Sequence, residues 1–510
     1  MEKIWNYVVL SIFISLMSLI WHLRRKTNDS FGSKLPPGPT GWPVIGNVLD
    51  LGWLPHRGLA ALKQKYGPVV WLNLGSVKTM VILSAGAAEE LFKNHDLSFI
   101  DRNIIEAMRS HEFYKSSLGL VSYCSYWRTL RRICAAELFS KTKITDTMLI
   151  RRKCVDDMLL WIARDAKKCG SSGIEVTQFV FPALFNTIGN IILSKDLVDP
   201  HSRMASEFYS AMTEFLECLG RPNVSDLFPT LRWLDLQGIR RRTDHVLGKT
   251  LKITSGFVKD RVEQRHQNEE RSVGIGKDFL DVLLDFRGTG KDEAAKLSES
   301  QISIFLVDLF IAAVDTTSTS VEWAMSELLN KPQVMIKIKA ELGRVVGANR
   351  KLEESDIDNL HYLRATVEET LRLHPPLPLL VPRKAIRDTN LMNYTIPKDT
   401  NVFVNAWAIG RDEGSWEDAL AFKPERFLDS SIRYKGQNFD FIPFGAGRRI
   451  CPGLPLAQYM LPLFLGSLLH HFEWKRCEND SNKMWLDMTE KIGITLEKLQ
   501  HLKAVPKESM

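Results

Sequence analysis

Residues 300–330 run 31 positions without a proline or a glycine, and the stretch is more apolar than the helical patterns at 126–139, 151–168, 206–219 and 239–267. With no breaker inside, the stretch predicts one continuous helix, and a helix apolar on most of its faces must be surrounded by protein. The rest of the chain is expected to pack around it. Helical periodicity also marks residues 126–139, 151–168, 206–219 and 239–267. Sheet is expected nearer the start, where β-rich runs at 69–74 and 79–83 flank Gly75-Ser76, a hairpin signal, ahead of a helical stretch at 85–95. The fold class is mainly α with a smaller β region. A hydrophobic fraction of 45% against 25% charged residues argues against disorder and for a substantial core.

A second constraint is local. Phe444-Gly445-Ala446-Gly447-Arg448-Arg449-Ile450-Cys451-Pro452-Gly453 presents one cysteine in a glycine-rich loop just before an apolar helix. Taken alone, such a cysteine is an inert buried thiol. Its neighbours suit a metal ligand instead, because a thiolate on iron must be shielded from water and held by backbone N–H groups that tune its electron donation. Gly447 and Gly453 are expected to allow close backbone approach, Phe444 to cover the sulfur, and Arg449 to meet an acidic group on a bound cofactor. The seven cysteines are odd in number and scattered, with no spacing that suggests zinc or a disulfide framework. That favours a reducing compartment.

Within the long helix, Leu309-Phe310-Ile311-Ala312-Ala313-Val314-Asp315-Thr316-Thr317 sets an acid and two hydroxyls in an apolar run. Structurally, the threonines would bond back to carbonyls one turn earlier and Asp315 would pair with a cation. Functionally, Thr316 backed by Asp315 in a local helix distortion would deliver protons to oxygen bound on iron. Glu369 and Arg372 share one helix face, and with Arg426 of Pro424-Glu425-Arg426-Phe427 they form either surface pairs or a buried network locking the cysteine loop. Trp127 and Arg131 sit one turn apart, so an indole N–H and a guanidinium can reach one acidic group, and Arg383 is a third donor candidate.

At the N-terminus, residues 5–21 are nearly all apolar and Arg24-Arg25-Lys26 follow at once. A basic flank after the run, with no small-x-small site, reads as an uncleaved membrane anchor rather than a signal peptide. The positive-inside rule leaves that flank and the body in the cytosol, so the sequons at Asn28, Asn223, Asn393 and Asn479 are expected to stay unglycosylated. Leu35-Pro36-Pro37-Gly38-Pro39 reads as a stiff linker. The expected division is an anchor at 1–23, a basic and proline-rich hinge at 24–46 and a catalytic domain at 47–510. The net charge of +7 suits an anionic membrane surface or an acidic protein, while no basic run or aromatic-basic repeat points to nucleic acid.

Taken together, the cysteine loop, Glu369 with Arg372, residues 424–427, Trp127 with Arg131, residues 312–317 and the proline hinge resemble the plant microsomal cytochromes P450, over nearly the whole chain. The resemblance implies the cytochrome P450 fold preceded by an N-terminal transmembrane helix, with the protein single-pass in the endoplasmic reticulum membrane and its catalytic domain cytosolic. It implies heme b with Cys451 as axial ligand, Trp127, Arg131, Arg383 and Arg449 near the propionates, and electrons from NADPH-cytochrome P450 reductase. By charge, a basic face with Arg128, Arg132, Lys141 and Lys143 is the candidate dock for that acidic reductase. The chain looks like the geraniol hydroxylase and iridoid oxidase family, which implies a monooxygenase oxidising a small apolar terpenoid in a pocket with Phe310, Ala313, Leu380 and Ile492. The alternatives are a thiolate-heme isomerase or dehydratase, which Asp315 and Thr316 disfavour, and a non-catalytic heme-binding membrane protein. The chain departs from the family at Ala313, where glycine is usual; the added methyl would narrow the space over the iron.

Overall fold

The computed structural model describes residues 34–201, 207–269, 277–288, 296–428, 430–477 and 485–508. The apolar run at 5–21 and its basic flank, with Asn28 and Asn479, lie outside the described residues. The described chain forms two compact units.

The smaller unit comprises residues 34–103, 223–237 and 379–409. The expected hairpin is there: β1 (Val69–Leu74) and β2 (Val77–Ile82) pair antiparallel, with Val69 opposite Ile82 and Leu74 opposite Val77. Gly75 turns the chain at φ +62°, a conformation that favours glycine. β2 continues the sheet in parallel with β8 (Asn401–Val404), and β5 (Arg383–Lys384) and β3 (Asp101–Arg102) complete the order β1-β2-β8-β5-β3. A separate hairpin joins β6 (Thr389–Leu391) to β7 (Tyr394–Ile396) through Met392 and Asn393, both at positive φ.

The larger unit holds most of the helix: α1 (Ser125–Glu137), α2 (Met148–Cys169), α3 (Thr177–Leu193), α4 (Glu207–Leu219), α5 (Ile239–Glu269), α6 (Glu299–Asn330), α7 (Pro332–Val345), α8 (His361–Leu373) and α9 (Leu454–His471). Two small sheets accompany them, β4 (Ile174–Glu175) with β12 (Lys503–Glu508) and β9 (Phe472–Arg476), and the hairpin β10 (Glu490–Ile492) to β11 (Leu496–Lys498). α6 starts at a capping box in which Ser298 accepts from the Gln301 N–H and Gln301 accepts in return. α3, α5, α7, α8 and α9 all pack against it. α6 is long and apolar enough to span a bilayer, but most of its apolar stretch is buried inside the protein, so it is a core helix. Phe310 shows why: its ring lies 4.8 Å from Phe185 and 5.1 Å from Phe208, contacts that add about 0.5–1.5 kcal/mol each beyond area burial.

One face of α6 differs. Between Ile302 and Ser326 the residues that are not buried are Asp308, Leu309, Ala312, Ala313 and Thr316. Their spacing of four along 308, 312 and 316, with 309 and 313 beside them, puts all five on one stripe.

Candidate active site

The cysteine loop is built by two left-handed glycines, Gly445 at φ +70° and Gly447 at +71°, and is closed by the Cys451 N–H donating to the Phe444 carbonyl at 3.0 Å. The chain then enters α9, and the N–H groups of Gly453 and Leu454 point at the sulfur. Burial pushes the Cys451 thiol up, while those two amides and the Arg131 guanidinium pull it back down. A helix N-terminus aimed at sulfur favours the thiolate. Gly453 differs from expectation: its φ is −78°, and an added Cβ would lie 3.8 Å from the sulfur and 3.9 Å from Phe139, ordinary contacts. Close approach there does not require glycine. Phe444 leans on Tyr434 with ring centroids 5.2 Å apart.

Trp127 and Arg449 come together as a stack, the guanidinium 4.9 Å from the ring centroid, while Arg449 Nη2 donates to the Val121 carbonyl at 2.6 Å. Arg131, one turn along α1 from Trp127, is mostly buried, and burial lowers its pKa against the raising effect of the Cys451 sulfur. Among the described residues it has no hydrogen-bond or carboxylate partner. A cation taken from water without a counter-charge is costly. The donor set therefore fits a cofactor that carries carboxylates and takes a thiolate.

Glu369 and Arg372 are fully buried rather than a surface pair. Arg372 Nε and Nη2 donate to the two Glu369 oxygens at 2.7 Å each, and Arg426 Nε donates to Glu369 Oε1 at 3.3 Å. The remaining Arg372 donors take the carbonyls of Gly410 at 2.5 Å, Ala419 at 2.7 Å and Ala421 at 3.1 Å. Trp416 lies under the same guanidinium and packs on Phe441, which packs on Tyr434, the neighbour of Phe444. The network thus reaches the cysteine loop through aromatic packing.

On α6, Thr316 Oγ1 donates to the Ala312 carbonyl and Thr317 Oγ1 to the Ala313 carbonyl, both at 2.8 Å, the back-bonding that a helical threonine favours. The helix is unbroken from Glu299 to Asn330, without the distortion expected there. Among the described residues Asp315 forms no ion pair with a cation: its Oδ2 accepts from Thr495 Oγ1 at 2.8 Å. Burial first, then the facing Glu497 carboxylate, push Asp315 up to about 7, against the Thr495 hydroxyl and the positive His501 and Lys491. Asp315 also lines a cavity of about 580 Å³ with Tyr209, Glu322, Ile492, Glu497 and His501. Acid and hydroxyl thus face different neighbours, Asp315 the cavity and Thr316 the accessible stripe.

The expected pocket residues separate. Ala313 lies on the stripe and Ile492 in the cavity, but Phe310 is 1% exposed and belongs to the aromatic core. Leu380, at φ +52°, and Arg383 belong to the smaller unit. There Arg383 donates to Asp96 Oδ1 at 2.8 Å and lies over the Phe92 ring. Sequence reasoning missed Thr495, whose partner is 180 residues away, and Asp308, whose place four residues before Ala312 could have flagged it.

The fold, the thiol held by helix amides and the adjoining buried cations define a cytochrome P450. The family model described as Cytochrome P450 matches residues 36–502, and the chain belongs to that family, whose members use heme with an axial cysteine thiolate. It is a monooxygenase of the oxidoreductase class. Cytochrome P450 76A2 of Solanum melongena is 51% identical over 510 residues, covering 100% of both chains. Iridoid oxidase of Catharanthus roseus is 45% identical, covering 97% of this chain and 95% of its own, and geraniol 8-hydroxylase of the same plant is 42% identical, covering 99% of each. A zebrafish cytochrome P450 solved with progesterone shares the fold at a TM-score of 0.74 and 24% identity, over 89% of this chain and 99% of that one. Members generally take electrons from a reductase and act on small substrates, and the plant relatives are typically anchored in the endoplasmic reticulum membrane.

Proposed function

We propose that Cys451 is the axial thiolate of heme b and that the enzyme hydroxylates or successively oxidises a monoterpenoid or iridoid. The observation that carries the heme assignment is Arg131, a mostly buried guanidinium without a carboxylate partner among the described residues, whose charge acts on Cys451. Arg131, with Trp127 and Arg449 beside it, would hold a propionate. When bound, heme supplies the activation of dioxygen with electrons from NADPH.

The protein's own part is to orient and to move protons. Gly453 and Leu454 N–H groups hold the sulfur, and the Glu369–Arg372–Arg426 network keeps its loop in place. Ala312 and Ala313 leave room on the accessible face of α6 for an apolar chain. Asp315, titrating near neutrality, is suited to take a proton from the cavity that Glu322, Glu497 and His501 line and to release it. Thr316 would pass it on after its hydroxyl rotates off the Ala312 carbonyl. The terpenoid assignment is supported by the names of the relatives and the apolar face. Residues 1–23 are proposed as the single-pass anchor in the endoplasmic reticulum, 24–46 as the hinge and 47–510 as the catalytic domain. The exposed Arg128, Arg132 and Lys141, with the half-buried Lys143, are proposed to dock the reductase.

Two measurements test this. Reduced protein under carbon monoxide should show the red-shifted thiolate band, and its absence in the wild type or its persistence in Cys451→Ser would end the assignment. Microsomes given a terpenoid panel, NADPH and reductase should yield oxygenated monoterpenoids; turnover confined to other classes would refute the substrate.

A further inference from the structure

Asp308 takes no part in the chemistry above. It lies on the accessible stripe of α6, four residues before Ala312 and eight before Thr316. Its Oδ1 accepts from Ser117 Oγ at 2.7 Å, its Oδ2 from the Gly119 N–H at 3.4 Å, and the Leu118 N–H also turns to it. One carboxylate thus gathers three donors from consecutive loop residues. Charge-assisted bonds of this kind are about twice as strong as neutral ones.

The loop it holds has two differently anchored halves. In the first, His111 Nε2 lies 2.8 Å from the Asp244 carbonyl on α5, Glu106 lies near Arg109 and Arg240, and Phe113 packs edge-on to Phe215 of α4. In the second, residues 116–121, the Tyr126 hydroxyl donates to the Ser116 carbonyl at 3.4 Å and Arg449 to the Val121 carbonyl. Within the first half, His111 and Glu112 stand in succession at φ +49° and +55°. Side chains other than glycine rarely adopt that region, and such strain persists only where the surroundings impose it. The chain thus turns before Phe113, whose carbonyl accepts from the Ser116 and Ser117 N–H groups at 3.1 Å each, and of these ties to residues 116–121 those to Asp308 come from α6. The carboxylate is kept there at a cost, since burial pushes it up to about 6 despite its three donors.

We infer that Asp308 is a positioning residue that holds residues 116–121 against the accessible face of α6, and so sets how large a molecule reaches Ala312 and Thr316. The inference rests on that face being the substrate side of the heme. Released, the loop shifts and the half-buried Leu120 moves with it. The hydroxyl tie alone is lost in Ser117→Ala, the N–H ties weaken in Asp308→Asn, and all three go in Asp308→Ala.

The test uses the full-length heme-loaded protein, with imidazole and clotrimazole as small and bulky heme ligands and amide hydrogen exchange of residues 116–121 without ligand. The wild-type carbon monoxide band is read first; its absence overturns the heme-thiolate reading and the inference with it. With the band present, exchange at 116–121 should rise in the order Ser117→Ala, Asp308→Asn, Asp308→Ala. Clotrimazole should bind Asp308→Asn about tenfold more tightly, the order set by one charge-assisted hydrogen bond, while imidazole changes less than about twofold. Unchanged exchange, equal changes for both azoles, or loss of the thiolate band in Ser117→Ala and Asp308→Asn alike would each overturn the role of Asp308 and leave the heme assignment standing.

Discussion

Asp315→Asn should make the protein more stable and the enzyme worse. The folded carboxyl titrates near 7 against an ordinary value of 3.8, a gap of about three pH units that burial and the facing Glu497 carboxylate create. At 1.36 kcal/mol per pH unit the ionised form costs about 4 kcal/mol. Its direction follows from proton counting. Below about pH 3.8 both folded and unfolded chains hold the proton and nothing is lost; as pH rises the unfolded chain releases it first, so stability falls until about pH 7 and then levels. About 2 kcal/mol of that fall lies between pH 5.5 and 8.5. Asparagine keeps an acceptor for Thr495 and never ionises. Urea unfolding across this range should give a wild-type stability that declines relative to the variant by about 2 kcal/mol, while product formed per NADPH consumed drops at least about tenfold. A stability difference that does not change with pH, or a variant that gains nothing at pH 8.5, would refute the burial argument. Unchanged coupling would remove Asp315 from proton delivery.

Other outcomes follow from the same structure. Glu369→Gln leaves Arg372 and Arg426 facing a neutral amide, and breaking a buried pair this way costs about 3–5 kcal/mol; urea midpoints and the yield of the carbon monoxide band should fall together. Ala313→Gly, inside a continuous helix, should cost about 1 kcal/mol in thermal or urea unfolding, and the lost methyl on the accessible face should change the ratio of oxidation products. Arg128→Glu combined with Arg132→Glu should raise the reductase concentration needed for half-maximal turnover and flatten its dependence on salt; full turnover at wild-type reductase levels would dismiss that face.

The helices were legible because their signals are local. No breaker interrupts 300–330, and the Ser298–Gln301 box marks where α6 begins; the hairpin at Gly75-Ser76 is equally local. The cysteine loop was legible because its glycines and cation come within ten residues. Partners were a different matter. The structural reading of Asp315 pairs it with a cation; it meets Thr495 and Glu497 instead, because a hairpin 180 positions on supplies them. Phe310 sits in the same apolar run as Ala313, yet a turn of 100° per residue sends it into the aromatic core while Ala313 stays accessible. Nothing within a turn of either residue distinguishes those fates; only the elements packed around α6 do.

The Arg372 guanidinium carries a consequence for how this chain tolerates change. It has five N–H donors, and each meets an acceptor, two on Glu369 and one each on Gly410, Ala419 and Ala421. Irregular surface segments commonly absorb insertions and deletions. Residues 410–421 are measured at both ends against one rigid planar group, so adding or removing a single residue between Gly410 and Ala419 would leave a donor and a carbonyl stranded. This stretch, without regular structure over most of its length, should have the length tolerance of a helix core, and lysine with its three donors cannot stand in for the arginine that gauges it.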